Sequence, residues 1–221
     1  MPLAPPVVSR HCHALVLCVA LVVTSGVSVG TQSSDFAPVT DAMLQDPAPA
    51  DWLMWRRTLD SWGYSPLDQI TQDNVGALRM VWSRGLTPGT QEGTPLAYDG
   101  MLYMPNPSDV IQALDATTGD LKWEYRRDLP EDVGDYLFAT ATNRNLAILG
   151  RLIIDTSADD YIYAVDAATG DLAWETQILD YRINPANQTS GPIIVTGWRS
   201  LAGVVCRRPV RRRASLPRTT H

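Results

Sequence analysis

Residues 19–205 contain no cysteine; the three in the chain are Cys12, Cys18 and Cys206. A disulfide framework and a CxxC zinc site are thereby excluded from the body of the protein. Histidine is equally scarce, since His11, His13 and His221 all sit at the ends. Any chemistry between them rests on carboxylates, arginine, hydroxyls, amides or a bound cofactor. Lysine is represented by Lys122 alone, and no acid follows Asp180. All 24 acids lie between Asp35 and Asp180, whereas seven of the 18 basic residues lie between Arg199 and Arg218. The body is acidic and lacks the clustered Lys and Arg that nucleic-acid binding requires, so no nucleic-acid partner is expected. A long apolar repeat at 3.6-residue spacing is missing as well, which excludes a helical architecture.

What is present begins with MPLAPPVVSRHCHALVLCVALVVTSGVSVGTQ. Arg10 gives a positive start, Ala14–Val23 an apolar run and Ser25–Gly30 a set of small residues, the layout of an export signal over residues 1–30. The alternative, an uncleaved membrane anchor, needs about 20 apolar residues, more than this run holds. Leu17, rather than a small residue, precedes Cys18 and argues against lipid attachment there. Residues 31–50 are polar and proline-rich and read as a linker or extended arm.

From Asp51 the texture changes. Trp52, Trp55, Trp62 and Tyr64 crowd together, and a strand is expected at Leu78–Ser83. Short strand candidates then follow at regular spacing. Thr94–Tyr98 and Met101–Pro105 flank Asp99-Gly100, a tight-hairpin signal. Val110–Leu114 and Leu121–Tyr125 flank a six-residue turn. A second round runs through Leu146–Ile148, Leu152–Thr156, Tyr161–Val165 and Leu172–Thr176, and a third begins at Gly191–Val195. The two six-residue turns sit in near-copies, ALDATTGDLKW at Ala113–Trp123 and AVDAATGDLAW at Ala164–Trp174, identical at eight of eleven positions. In each, the Asp can cap turn amides and the Gly can take a positive φ. Strict alternation would put Leu121 and Trp123 on one face, and Leu172 and Trp174 likewise. Four short strands per unit of 40–50 residues is the pattern of a β-propeller blade, whose faces are buried only by stacking on neighbours. A pair of similar hairpins in a sandwich is the competing reading, which the length of the repeat disfavours.

The repeat A-x-D-x-x-T-G-x-x-x-W resembles the tryptophan-docking motif of the pyrroloquinoline quinone (PQQ) dehydrogenases, an eight-bladed propeller family. Tyr64-Ser65-Pro66-Leu67-Asp68-Gln69-Ile70, followed by Asn74-Val75 and Trp82, is similar to that family's N-terminal lead-in. Gln91-Glu92-Gly93-Thr94-Pro95-Leu96 is similar to its first cofactor-contacting segment. The resemblance implies an all-β fold with the first two to three blades of a quinoprotein propeller in residues 51–197. It implies a periplasmic alcohol dehydrogenase that uses PQQ and Ca²⁺ and passes electrons to a cytochrome c or a membrane quinone. Glu92 matches the family Glu that hydrogen-bonds the quinone, with a solvated loop acid as the plainer alternative. Arg144 matches an Arg on the cofactor's anionic part, a role suited to the bidentate guanidinium fork; a surface arginine is its alternative. Thr189 matches a hydroxyl near a cofactor carboxylate, although threonine is common in such turns.

There are departures. The adjacent cysteines that alcohol-oxidising relatives carry before this Arg are replaced by Phe138-Ala139. The family's Ca²⁺ ligands, catalytic Asp and the Trp beneath the quinone lie further along than this chain reaches, so no catalytic or metal-binding residue is assigned. A rival class is a cofactor-free propeller scaffold for protein assembly, which shares the Trp repeat but has no need of the lead-in or the Glu92 segment. After Gly197 the repeat gives way to an arginine- and proline-rich tail, residues 198–221. It is expected to be an out-of-frame terminus, with a basic interaction tail as the alternative. Export should remove roughly the first 30 residues. N-terminal sequencing of periplasmic material checks this; an intact Met1 in the membrane fraction would show an anchor instead.

Overall fold

The structure is a computed structural model that describes residues 36–86, 88–137, 143–186 and 190–194, with 143 and 144 as backbone only. Residues 1–30, expected to direct export, the tail 198–221 and Phe138-Ala139 lie outside the described residues. Among the described residues there are ten strands, two single-turn α-helices and a 3-10 turn at Val75–Ala77: α1 (Asp41–Gln45), β1 (Gln91–Thr94), β2 (Leu96–Tyr98), β3 (Met101–Asn106), β4 (Val110–Asp115), β5 (Leu121–Arg126), α2 (Val133–Tyr136), β6 (Asn143–Asn145), β7 (Ala147–Leu149), β8 (Leu152–Thr156), β9 (Tyr161–Asp166) and β10 (Leu172–Gln177). They form two antiparallel four-stranded meanders, β2-β3-β4-β5 and β7-β8-β9-β10, and a short parallel pair, β1-β6. The all-β reading and its two repeated units are thus realised as two successive blades.

The turn chemistry explains why the eleven-residue sentence is written twice. Asp115 accepts the amides of Thr117 and Thr118 at 2.9 and 3.1 Å, and Asp166 those of Ala168 and Thr169 at 2.8 and 3.2 Å. The Thr118 amide, then Lys122 and the Thr117 amide, hold the Asp115 carboxyl below its ordinary range. Each turn also receives the tryptophan of the preceding unit. Trp82 Nε1 donates to the Ala116 carbonyl at 3.1 Å and Trp123 Nε1 to the Ala167 carbonyl at 3.0 Å. Gly119 and Gly170 have φ +75° and +79°, and a Cβ on either would stand 2.6 or 2.7 Å from the indole carbons above it. Glycine is required twice over, by backbone conformation and by the ring lying on it.

Between the blades lies a core that includes Tyr103, Ile111, Trp123, Ile148, Ile153, Tyr163 and Val165. The middle strands β4 and β9 are buried along nearly their whole length, whereas β5 and β10 are mostly exposed. The expectation that Leu121 shares a face with Trp123 is corrected. Leu121 pairs with Leu114 but Trp123 with Ala113, and Leu172 pairs with Val165 but Trp174 with Ala164. An extra residue, Lys122 or Ala173, forms a bulge that turns the tryptophan to the opposite face from the leucine. Trp123 is accordingly buried and Leu121 is 41% exposed.

The arm ahead of the blades is packed from Phe36 onward. Val39 exchanges backbone hydrogen bonds with Gly150 (2.8 and 2.7 Å), and Trp52 does so with Ala97 (2.8 and 2.9 Å). Thr40 caps α1 by accepting from Met43 N, and Leu44 and Leu53 enter the core. The strand expected at Leu78–Ser83 belongs to no sheet; Met80 and Val81 are exposed, and Trp82 alone docks.

Gly170→Ala is expected to destabilise the chain by about 2–3 kcal/mol, through its positive φ and the collision with Trp123. Gly100→Ala, where φ is also positive but no atom lies within 4 Å, should cost about 1 kcal/mol. Urea unfolding of the two variants checks the difference; equal losses would mean that the indole contact is not what fixes the turn.

Candidate functional site

β1 and β6 run directly into the first strands of the two blades and pair in parallel, Gln91 with Asn143 and Thr94 with Asn145. Glu92 and Arg144 are far apart in sequence, yet this pairing sets their backbones on neighbouring strands. Both occupy the lead-in to equivalent strands of successive repeats, and stacking the repeats superposes the lead-ins. The Glu92 side chain is exposed. The Arg144 side chain and all of Thr189 lie outside the described residues. Ser190, next to Thr189, is described, and its carbonyl accepts a 2.8 Å hydrogen bond from Asn145 Nδ2. The lead-ins of all three repeats therefore come to one end of the blades.

Two side-chain amides hold this end together. Gln91 Nε2 donates to the Pro105 carbonyl at 2.7 Å, tying β1 to β3. Asn145 performs the corresponding task between the second and third lead-ins. Gly191, at φ +71°, presses so closely on Asn145 that a Cβ would fall on the Asn145 carbonyl oxygen. Sequence reasoning missed Gln91, Asn145 and Gly191. A signal existed for Asn145: aligned on their hairpins, the three rounds read Thr94-Pro95-Leu96, Arg144-Asn145-Leu146 and Gly191-Pro192-Ile193. An amide stands where the other two rounds have a residue with no N–H.

A cavity of about 670 Å³ opens at this end. Its polar lining includes Glu92, Asn145 and Ser190, and its apolar lining includes Leu53, Trp55 and Ile193. The Trp55 backbone carbonyl accepts from Trp52 Nε1 at 3.3 Å, and the Arg56 guanidinium lies 5.3 Å from the centre of the Trp55 ring. The volume falls within the range of small-molecule sites, and an apolar lining with a few convergent polar groups is their usual composition. Among the described residues no group of three or more His, Cys, Asp or Glu is arranged to hold a metal ion.

Comparison with known proteins gives one consistent picture. Residues 52–172, more than half of the chain, match the family described as PQQ glucose/ethanol/alcohol dehydrogenase, β-propeller domain. The dehydrogenase subunit of the alcohol dehydrogenase (quinone) of Gluconacetobacter polyoxogenes is 34% identical over 174 residues, which is 77% of this chain and 23% of that protein. The 1-butanol dehydrogenase (cytochrome c) of Thauera butanivorans is 35% identical over 61% of this chain and 20% of its own length. Among solved structures, the quinohemoprotein alcohol dehydrogenase ADHIIG of Pseudomonas putida HK5 superposes with a TM-score of 0.59 at 33% identity, covering 64% of this chain and 22% of that one. The chain thus spans about a quarter or less of the length of these relatives.

Asn145→Ala removes the amide that joins the second and third lead-ins and should cost about 1 kcal/mol. Gly191→Ala forces the same contact apart and should cost more, about 2–3 kcal/mol. Denaturation midpoints of the two variants check this order; a neutral Gly191→Ala would show that the third lead-in does not press on Asn145 in solution.

Proposed function

Because the chain belongs to the family of PQQ-dependent glucose/ethanol/alcohol dehydrogenase β-propellers, we propose that it forms the cofactor-holding first blades of a periplasmic alcohol dehydrogenase. The observation that carries this reading is the parallel pairing of β1 with β6, which brings the Glu92 and Arg144 lead-ins together at a cavity. A flat, anionic tricarboxylate asks for a cationic fork, hydrogen-bonding groups on one side and apolar walls. The cavity has a mainly apolar lining that also includes Glu92, Asn145 and Ser190, and Arg144 follows Asn143 on the adjoining strand. The residues present fit the group.

Glu92 and Thr189 would hold it by hydrogen bonds and Arg144 by pairing with a carboxylate, the bidentate geometry guanidinium favours. When bound, the quinone supplies the two-electron acceptor for oxidation of an alcohol, chemistry that side chains alone do not provide. Leu53, which is buried, and Trp55, which is half exposed, would give the quinone ring an apolar surface to pack on. Ca²⁺ is the metal proposed to accompany the quinone; no residue of this chain is assigned to hold it. A cytochrome c or a membrane quinone is the proposed electron acceptor, in keeping with the names of two of the relatives above. The periplasmic assignment draws its support from the apolar run at Ala14–Val23.

By itself the 221-residue chain is proposed to be inactive. An ion pair open to water contributes about 0–1 kcal/mol, whereas micromolar affinity requires about 8 kcal/mol. Two or three such contacts fall short without partners from further blades. Calorimetric titration with PQQ and Ca²⁺, beside a dye-linked alcohol assay, should show no micromolar binding and no turnover. Micromolar binding or clear turnover would show that the chain completes a site without further blades.

A further inference from the structure

At the same end of the blades as the cavity, but on the fourth-strand side of the interface between them, four charged residues meet. Arg127, directly after β5, is 9% exposed and sits between two carboxylates of the second blade. Its Nε and Nη2 grip Asp159 at 2.8 and 2.9 Å, and Nη1 reaches Glu175 at 2.6 Å. The guanidinium also lies 4.5 Å from the centre of the Tyr161 ring and 5.7 Å from that of Tyr163. Burial opposes the Arg127 charge, but Asp159 and Glu175 more than offset it and hold the group cationic. Asp159 accepts from Ser157 Oγ as well.

A third carboxylate completes the group. Asp109, in the turn between β3 and β4, is 3% exposed. Its Oδ2 accepts the amide of Ala158 in the second blade at 2.8 Å, and its own carbonyl accepts the Arg127 amide at 3.2 Å. Both bonds tie it to the place where Arg127 crosses between blades. The charged and titratable groups around it are Arg127 from its own blade and Asp159 from the next, with Tyr163 also close enough to feel its charge. Beyond these stand Glu175 on Arg127, Tyr125 against Tyr163, and Asp155, which accepts from Tyr163 Oη. One guanidinium is thus gripped by the buried Asp159 and by Glu175, whose side chain is 42% exposed, while the buried Asp109 stands close enough to feel the charges of Arg127 and Asp159.

We propose that Asp109, Arg127, Asp159 and Glu175 form a proton-operated latch between the first two blades, closed while Asp109 carries a proton and loosened when that proton leaves. With Asp109 neutral, Arg127 is shared by two carboxylates and Asp109 still accepts the Ala158 amide. Once ionised, Asp109 becomes a buried anion beside Asp159, and the single guanidinium already has two partners. The Ala158 amide by itself favours the ionised carboxyl, so relief of the Asp109–Asp159 repulsion requires water to enter the seam between the blades, and it is that opening which exposes Ala158. This inference does not depend on the cofactor reading.

The direction of the pH dependence follows from Asp109 itself. Its carboxyl, ordinarily at 3.8, is pushed up to about 7 by burial; the Ala158 amide opposes this, the Asp159 charge adds to it and Arg127 opposes it. Between those values the unfolded chain has released a proton that the folded chain keeps. Stability from this group therefore falls as pH rises from about 4 to about 7 and is flat above.

Three measurements on the intact chain test the latch. Asp109→Asn fixes the neutral state while retaining an acceptor for Ala158. Its Tm should gain on the parent by about 5 °C or more between pH 5 and pH 8; a Tm difference that does not change with pH overturns the proposal. Protection of the Ala158 amide, corrected for chemical exchange, should drop in the parent as pH passes 7 and stay level in Asp109→Asn. A pH-dependent Tm with unchanged Ala158 protection would reduce the effect to ordinary stability linkage and also overturn the latch. If Asp109→Asn fails to fold, the parent decides: an Asp109 carboxyl-carbon midpoint near 7 with Ala158 protection falling across it supports the proposal, and a midpoint near 4, or protection that stays level, overturns it.

Discussion

The arrangement rests on the indole of one blade lying on the glycine turn of the next. Trp123 on Gly170 is the complete case: a ring face against bare backbone, an Nε1–H to the Ala167 carbonyl, and a buried position in the core between blades. Because the ring meets backbone on both counts, it fixes distance and rotation between units with little tolerance, as a side-chain contact would not. Trp174 stands at the same place in the second blade. Its Nε1 is buried and finds no acceptor among the described residues, at a cost of about 1–3 kcal/mol. The unit that pairs so well on one side thus carries an unmet donor on the other.

Once spacing between blades is fixed, the cavity follows from it. Glu92 and Arg144 belong to equivalent lead-ins, and the docked tryptophan sets those lead-ins side by side. A site built this way is assembled from side chains of one repeated segment, the lead-in, rather than by folding distant loops together. Pro95, Asn145 and Pro192 show the same economy. The position accepts proline where no cross-link is needed and asparagine where a carboxamide joins two lead-ins. Function enters through departures from the repeat, while stability comes from adherence to it.

That division also governs what the sequence revealed. The Asp-capped turns, the tight hairpins and the tryptophan spacing were legible because each depends on local backbone chemistry or on a repeat visible along the chain. The bulge at Lys122 and Ala173 was not: alternation assumes one residue for one across the ladder, and nothing in Leu-Lys-Trp announces an extra residue. Leu78–Ser83 has the composition of a strand but no neighbour to pair with among the described residues, and a strand needs a ladder partner to exist. The packing of Val39, Leu44 and Leu53 was hidden by the polar, proline-rich residues around them. Family resemblance, not periodicity, pointed to Glu92, Arg144 and Thr189. The Arg127 cluster escaped both approaches, since its members are drawn from two blades and belong to no motif.

The two ties between the blades differ in position as well as in chemistry. In an antiparallel meander, the start of the first strand, the end of the second, the start of the third and the end of the fourth share one edge. Glu92, Asp109 and Arg127 are therefore at one end of the first blade, and the Asp115–Gly119 turn is at the other. The indole tie is apolar with one neutral hydrogen bond, so it does not respond to protons. The tie through Arg127 is charged and buried, where a single ionisation weighs heavily. Protonation chemistry at Asp109 then acts at the cavity end while Trp123 still seats on Gly170.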